Sequence, residues 1–255
     1  MTNSVFIAWR SGDDTAGRWG PVARVAQGPY GYRFVYTKGA RALPDFQPFV
    51  GMSDLNAVYE SDELFPLLAN RVLSKSRPEY EAYLTWGGFD PSNPPDPLAL
   101  LAVTEGRRQT DSVEVFACPQ PDADGCYVNK FFLHGVRWML PAAQERIAQL
   151  KTGEQLELRP EPTNEHDPHA VAVFSLQTAD AIKIGYVPRY LAQDAKELYE
   201  KCEPGFVQLN VERLNAGAPL QQRVLCRMHA RWPNDFRPCS REEFQPIVAD
   251  LAGVQ

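Results

Sequence analysis

Between Phe131 and Ala192 the chain sets planar rings, guanidinium groups and carboxylates at what read as strand–turn junctions. The stretch contains FFLHGVRWML, LELRPEPTNEHDPHAVAVF and AIKIGYVPRYLA. Arg137 and Trp138 sit at the end of an apolar run. A turn crowded with Asn164, His166 and Asp167 follows, flanked by strands. A second turn holds Gly185, Tyr186 and Arg189, with Lys183 as a weaker member. This set suits the end of a nucleic acid. Rings stack on bases, arginines take phosphate, and a carboxylate accepts a hydrogen bond from a sugar hydroxyl.

Each of these residues also has a plainer reading. Alternation through FFLHGVRWML, taken as a strand, turns one of Arg137 and Trp138 inward and the other outward, so Trp138 is either a core ring or a surface one. Pro162, Asn164, Asp167 and Pro168 favour a turn by their own chemistry, so Asn164 and Asp167 either cap backbone groups or meet a ligand. Tyr186 either packs or lines a binding path. The HDPH sequence brings metal-ligand types together, but a proline-interrupted turn does not fix them on one face, and no HExxH or nearby cysteine completes a set. Glu161, Glu165 and Asp167 are few carboxylates for a metal nuclease. No catalytic, metal or cofactor residue is assigned.

The elements that must position these groups divide at FDPSNPPDP (Phe89–Pro97), where four prolines in nine residues forbid a helix or central strand. The expected organisation is a first domain over 1–95, a connector with one strand (DSVEVFA) over 96–126, a second domain over 127–235, and a helical tail over 236–255. In the first domain GYRFVYT reads as a strand. Ser61 is a candidate N-cap for a helix bearing Leu64, Leu67, Leu68 and Val72 on one face, and Pro78 would start a second helix. In the tail, Ser240 and Glu243 have the spacing of a capping box. A helix after Arg189 (LAQDAKELYEK) is expected to cover one mouth of the second domain.

Bulk properties narrow the classes. At 255 residues, with 44% hydrophobic and 23% charged content, the chain reads as one or two soluble domains. No apolar run approaches the roughly 20 residues of a membrane helix, and MTNSVFIAWRSGDD lacks the basic and apolar regions of a signal peptide. Five cysteines with no CxxC pair fit a reduced, cytoplasmic chain. Net charge is −6. Residues 1–126 hold 11 Lys+Arg and 16 Asp+Glu, a balance of −5; residues 127–255 hold 15 and 16, a balance of −1. Bulk electrostatic coating of long duplex is thereby disfavoured, and nucleic-acid contact is expected to be short and geometric.

The order G-V-R-W, E-P-x-N-x-x-D-x-x-A-V-x-V and I-G-Y-V-P over about 127–235 resembles a HIRAN domain, a family found in fork-remodelling helicases and in compact bacterial proteins. That resemblance implies a small OB-like β-barrel with short helices that holds the 3′ end of single-stranded DNA. It implies that Arg137 faces a terminal phosphate and that Trp138 stacks on a base, with His166 as a second stacking plane. It further implies that Asn164 contacts the terminal base or backbone, that Asp167 accepts a bond from the 3′ hydroxyl, and that Tyr186 and Arg189 meet upstream phosphates. This chain has Trp138, His166 and Tyr186 where the family often has tyrosine, tyrosine and histidine.

Residues 1–95 are similar to the N-terminal subdomain of HipA-type toxin kinases, through AGRW, GYRFVY and FPLLANRVLSKSRPEYEAYL. The kinase core has no counterpart, since no Gly-rich phosphate loop and no HxD or DxD stretch appears. What that resemblance implies is docking to a partner protein. The combined expectation is an α+β protein of two domains, non-enzymatic, binding single-stranded DNA 3′ ends through the second domain and a protein through residues 1–95, with no membrane partner. The rival expectation is a protein–protein scaffold whose barrel no longer binds nucleic acid.

Overall fold

A computed structural model describes residues 4–11, 18–108, 110–176, 181–203 and 205–248. The chain forms two units. The first contains residues 1–80, 95–118 and 237–255, and the second contains 81–94 and 119–236.

The first unit is built on a five-stranded antiparallel sheet. Its strands are β1 (Ser4–Arg10), β2 (Trp19–Gly28), β3 (Gly31–Tyr36), β4 (Val58–Ser61) and β5 (Val113–Phe116), in the order β4-β3-β2-β1-β5. β1 carries VFIA, an unbroken apolar run, and Val5 to Ala8 are all buried, as expected for a strand covered on both faces. One face of the sheet packs Val5, Ile7, Phe34 and Tyr36 with Phe46, Phe65, Leu68, Leu98 and Leu101. The helices are short: α1 (Lys38–Ala42), α2 (Pro66–Ala69) and, after α3 (Tyr80–Trp86), α4 (Pro97–Thr104). Asp96 caps α4, accepting from Leu98 N at 2.7 Å.

Several expectations fail here. The helix expected from Ser61 shrinks to the four residues of α2. Ser61 is a strand residue whose hydroxyl donates to Glu63 O at 2.6 Å, so it caps nothing helical. The helix expected from Pro78 begins at Tyr80. In the tail, the expected helix is a 3-10 turn over Glu242–Phe244, and the Ser240 hydroxyl donates to Arg237 O instead of capping. Pro246 explains the stop: it cannot continue a helix, and it forms a bridge with Thr37. The strand expected in the connector is β5, paired with β1.

The second unit holds a six-stranded antiparallel sheet: β6 (Cys126–Phe132), β7 (Gln155–Pro160), β8 (Val171–Ser175), β9 (Ile182–Tyr186), β10 (Gln208–Leu214) and β11 (Val224–Arg231), ordered β6-β11-β10-β7-β8-β9. Tyr127, Phe131, Phe132, Val171, Val173, Ile184, Leu209 and Met228 are buried. α5 (Pro141–Ala148) packs on β9. α6 (Arg189–Lys201) forms where a helix was expected after Arg189 and buries Tyr190, Leu191, Ala195 and Leu198. A buried ion pair fixes α5: the Arg146 guanidinium meets Glu154 and donates to the Ser175 hydroxyl at 2.8 Å.

The expected OB-like β-barrel does not appear as a closed sheet among the described residues. The ladder is open, and its two edges meet at a single antiparallel bridge, where His134 and Tyr186 exchange backbone hydrogen bonds of 2.9 Å each. The reason is local. Gly135 takes φ 72°, a left-handed conformation that turns the chain out of β6 after one bridge pair.

Candidate nucleic-acid interface

The turn at Gly135 decides where Arg137 and Trp138 go. They do not continue a strand; they occupy a 3-10 turn, Val136–Trp138, and Val136 alone of the three is buried. The expected in–out alternation is therefore absent. Trp138 is 73% exposed, which excludes the core reading of its ring. The Arg137 guanidinium lies over the indole, 4.1 Å from the ring centroid. Such stacking holds an Arg and a Trp together as one flat surface unit. Gly135 also seats this turn against Tyr186. A Cβ on Gly135 would come within 3.0 Å of the Tyr186 ring.

Tyr186, on the last residue of β9, opens a polar network. Its hydroxyl donates to Glu161 Oε2 at 2.9 Å and accepts from Lys183 Nζ at 3.0 Å. Lys183 Nζ also reaches Glu161 Oε1 at 2.9 Å. The Asn164 amide donates to Glu161 Oε2 at 3.2 Å. Burial pushes the Glu161 carboxyl up, but hydrogen bonds from Lys183, Tyr186 and Asn164 outweigh it and hold the group below its ordinary range. Lys183 is raised, first by its bond to the Tyr186 hydroxyl, against burial, and then by Glu161.

Asn164 is the pivot of the loop joining β7 to β8. Its Oδ1 accepts from His166 N at 3.0 Å and from Asp167 N at 3.2 Å. Asp167 Oδ1 accepts from His169 N at 2.9 Å, and its other oxygen lies 3.6 Å from Arg189 Nε at the start of α6. The capping reading of Asn164 and Asp167 is thus realised: both organise the turn backbone. That role uses both lone pairs of the Asn164 amide oxygen but leaves Asp167 with accepting capacity, because a carboxylate accepts at more than two positions. The His166 side chain is exposed.

The fold therefore links Asn164, Asp167, Tyr186 and Arg189 through side-chain or turn contacts, with Lys183 among them. It brings the Arg137–Trp138 turn to the same strand end through Gly135 and His134. Glu161 is the residue that the sequence reading assigned no binding role. Its signal was its place at the head of the E-P-x-N block, three positions before Asn164, where a turn can fold it back. Among the described residues no group of three His, Cys, Asp or Glu side chains is placed to hold a metal ion, and no helix is long and apolar enough to cross a membrane.

Residues 127–229 match the family model of the HIRAN domain. No curated protein sequence matches the chain. Two similar solved structures are a protein from Lactobacillus plantarum and the HIRAN domain of human HLTF. The first is 22% identical, covers 41% of this chain and 96% of its own, and has a TM-score of 0.33. The second is 13% identical, covers 42% and 79%, and has a TM-score of 0.30.

Proposed function

We propose that residues 127–229, a HIRAN domain and so a member of a DNA-binding family, hold the 3′ end of single-stranded DNA, and that the protein acts without catalysis within a larger DNA repair, processing or anti-phage assembly. The observation that carries this reading is Trp138. An indole kept 73% exposed, with a guanidinium lying on it, is an unused stacking surface beside a turn of hydrogen-bonding groups. A terminal base stacks on that unit, with His166 as the opposing plane. Asn164 contacts the end of the strand. Asp167 accepts from the 3′ hydroxyl, while a 3′ phosphate meets the same carboxylate and is repelled. Tyr186 and Arg189 take the phosphates upstream. Residues 1–95, which resemble a kinase subdomain that packs on a larger body, dock a partner protein in the cytoplasm.

One observation favours the second reading, a protein–protein scaffold. Lys183 and Arg189 are already engaged by Glu161 and Asp167, which lowers the charge available to phosphate. Fluorescence anisotropy of the full chain with short oligonucleotides separates the two. The DNA reading expects binding of a 3′-hydroxyl strand, weaker binding of the 3′-phosphate strand and little of blunt duplex. Equal affinity for the two ends removes Asp167 from its role, and no binding at all leaves the scaffold.

A further inference from the structure

A second surface of this domain has the chemistry of a strand-binding track. β11 alternates cleanly: Cys226, Met228 and Ala230 are buried, while Arg227, His229 and Arg231 point to the opposite, solvent face. In register, Arg227 pairs with Lys130 of β6 on one side and Asn210 of β10 on the other. Gln208, Asn210, Glu212, Arg227 and His229 line an open groove of about 380 Å³, floored by the sheet and bounded by Thr152 and Gly153. Lys130 reaches across β11 to Glu212 at 2.6 Å, so that carboxylate is already neutralised, as is Glu157 of the neighbouring strand by Arg159 at 2.7 Å. Among the described residues Arg227 and Arg231 have no ion-pair partner within 4 Å. Further along, Arg231 lies 5.6 Å from the ring centroid of Phe206, which is 49% exposed.

Like charges placed opposite one another on a sheet, here Lys130 and Arg227, are costly unless an anion lies between or above them. Glu212 supplies one anion against three cations, Lys130, Arg227 and Arg231. Amide side chains and the Arg227 guanidinium in the groove, with a second guanidinium and an exposed ring further along the face, match a sugar–phosphate backbone with a base to stack, since single strands are held by a positively charged track and aromatic rings together.

We propose that this face, from Arg227 to Arg231 and Phe206, binds the backbone of single-stranded nucleic acid upstream of the end held at Trp138. The inference extends the end-binding reading, but a different set of residues carries it. It assigns length dependence to the face and end chemistry to the pocket.

The test uses the full chain and 5′-labelled oligonucleotides of about four and about sixteen nucleotides, the range of single-strand site sizes. Arg227→Gln with Arg231→Gln removes two charges from exposed positions. Expected is a fall of roughly tenfold in affinity for the longer strand, a salt slope shallower by about 1.4, and no change for the shorter one. Arg227→Lys with Arg231→Lys is expected to restore the slope. An unchanged affinity and slope in a folded double variant overturns the inference and leaves the end pocket standing. If instead Trp138→Ala leaves the longer strand bound while the double variant loses it, the face stands and the end reading falls. Poly-glutamate competing as well as DNA of matched charge overturns the nucleic-acid assignment of the face.

Discussion

Trp138 separates binding from stability more cleanly than any other residue in the site. Its ring touches solvent and Arg137 and is not packed in the core, so Trp138→Ala removes a stacking surface and leaves little cavity. The expected outcome is a loss of about 1–3 kcal/mol in single-strand affinity with a melting temperature close to wild type. Anisotropy and calorimetry on one preparation check both. Glu161 makes the opposite kind of prediction. Its folded pKa lies below the ordinary 4.5, so its bonds to Lys183, Tyr186 and Asn164 contribute stability that is present above the unfolded value. That contribution is lost as pH falls through the folded value. Urea midpoints are therefore expected to differ between wild type and Glu161→Gln at pH 7, and to converge as the solution is acidified below about 4.5.

At the scale of elements, the sheet edges matter most. Gly185 sits where β9 meets the residues after β6, and a Cβ there would lie 2.6 Å from His134 O and 2.7 Å from Leu133 Cγ. Backbone cannot yield as a side-chain tip can. Gly185→Ala is expected to cost about 1–3 kcal/mol and to loosen the His134–Tyr186 bridge, read as faster amide exchange at those two residues. α5 has a different anchor. Breaking the buried Arg146–Glu154 pair by Arg146→Ala leaves an uncompensated carboxylate and is expected to cost about 3–5 kcal/mol. Replacing both partners with apolar residues is expected to cost less, and chemical denaturation of the single and paired variants compares them.

For the whole molecule, the discontinuity of the first unit changes what can be cut. β5 pairs with β1, and the 3-10 turn at Glu242–Phe244 sets Phe244 against Phe6 at 5.2 Å. A fragment of residues 1–95 loses both, which bares the edge of β1 and the apolar side of Phe6. The fragment is expected to aggregate or to show poor dispersion in its amide spectrum, whereas the full chain folds. Docking and DNA binding must therefore be assayed on the intact protein. In that assay a short strand, meeting about 2–3 phosphate-binding groups, is expected to give a shallow salt slope of about −1.4 to −2.

The sequence alone determined the α+β character, strands such as β3, β5 and β9, the turn at Asn164–Asp167, helix α6 and the matched family segment, because alternation, turn chemistry and motif order are local properties. It also singled out Asn164, Asp167, Tyr186 and Arg189, which the fold links through hydrogen bonds and an ion pair. It did not determine that Arg137 and Trp138 leave the strand, since that hangs on the conformation of one glycine, nor that Glu161 joins Lys183 and Tyr186, which lie 22 and 25 positions away. Helix lengths in the first unit were misjudged because the Leu64–Val72 pattern suits a longer helix, while packing on the sheet kept only one turn of it. The open sheet, the return of β5 and the tail to the first unit, and the cationic face of β11 rest on pairings between distant strands. Only tertiary structure decided these, because burial and register are settled by which partner a strand finds.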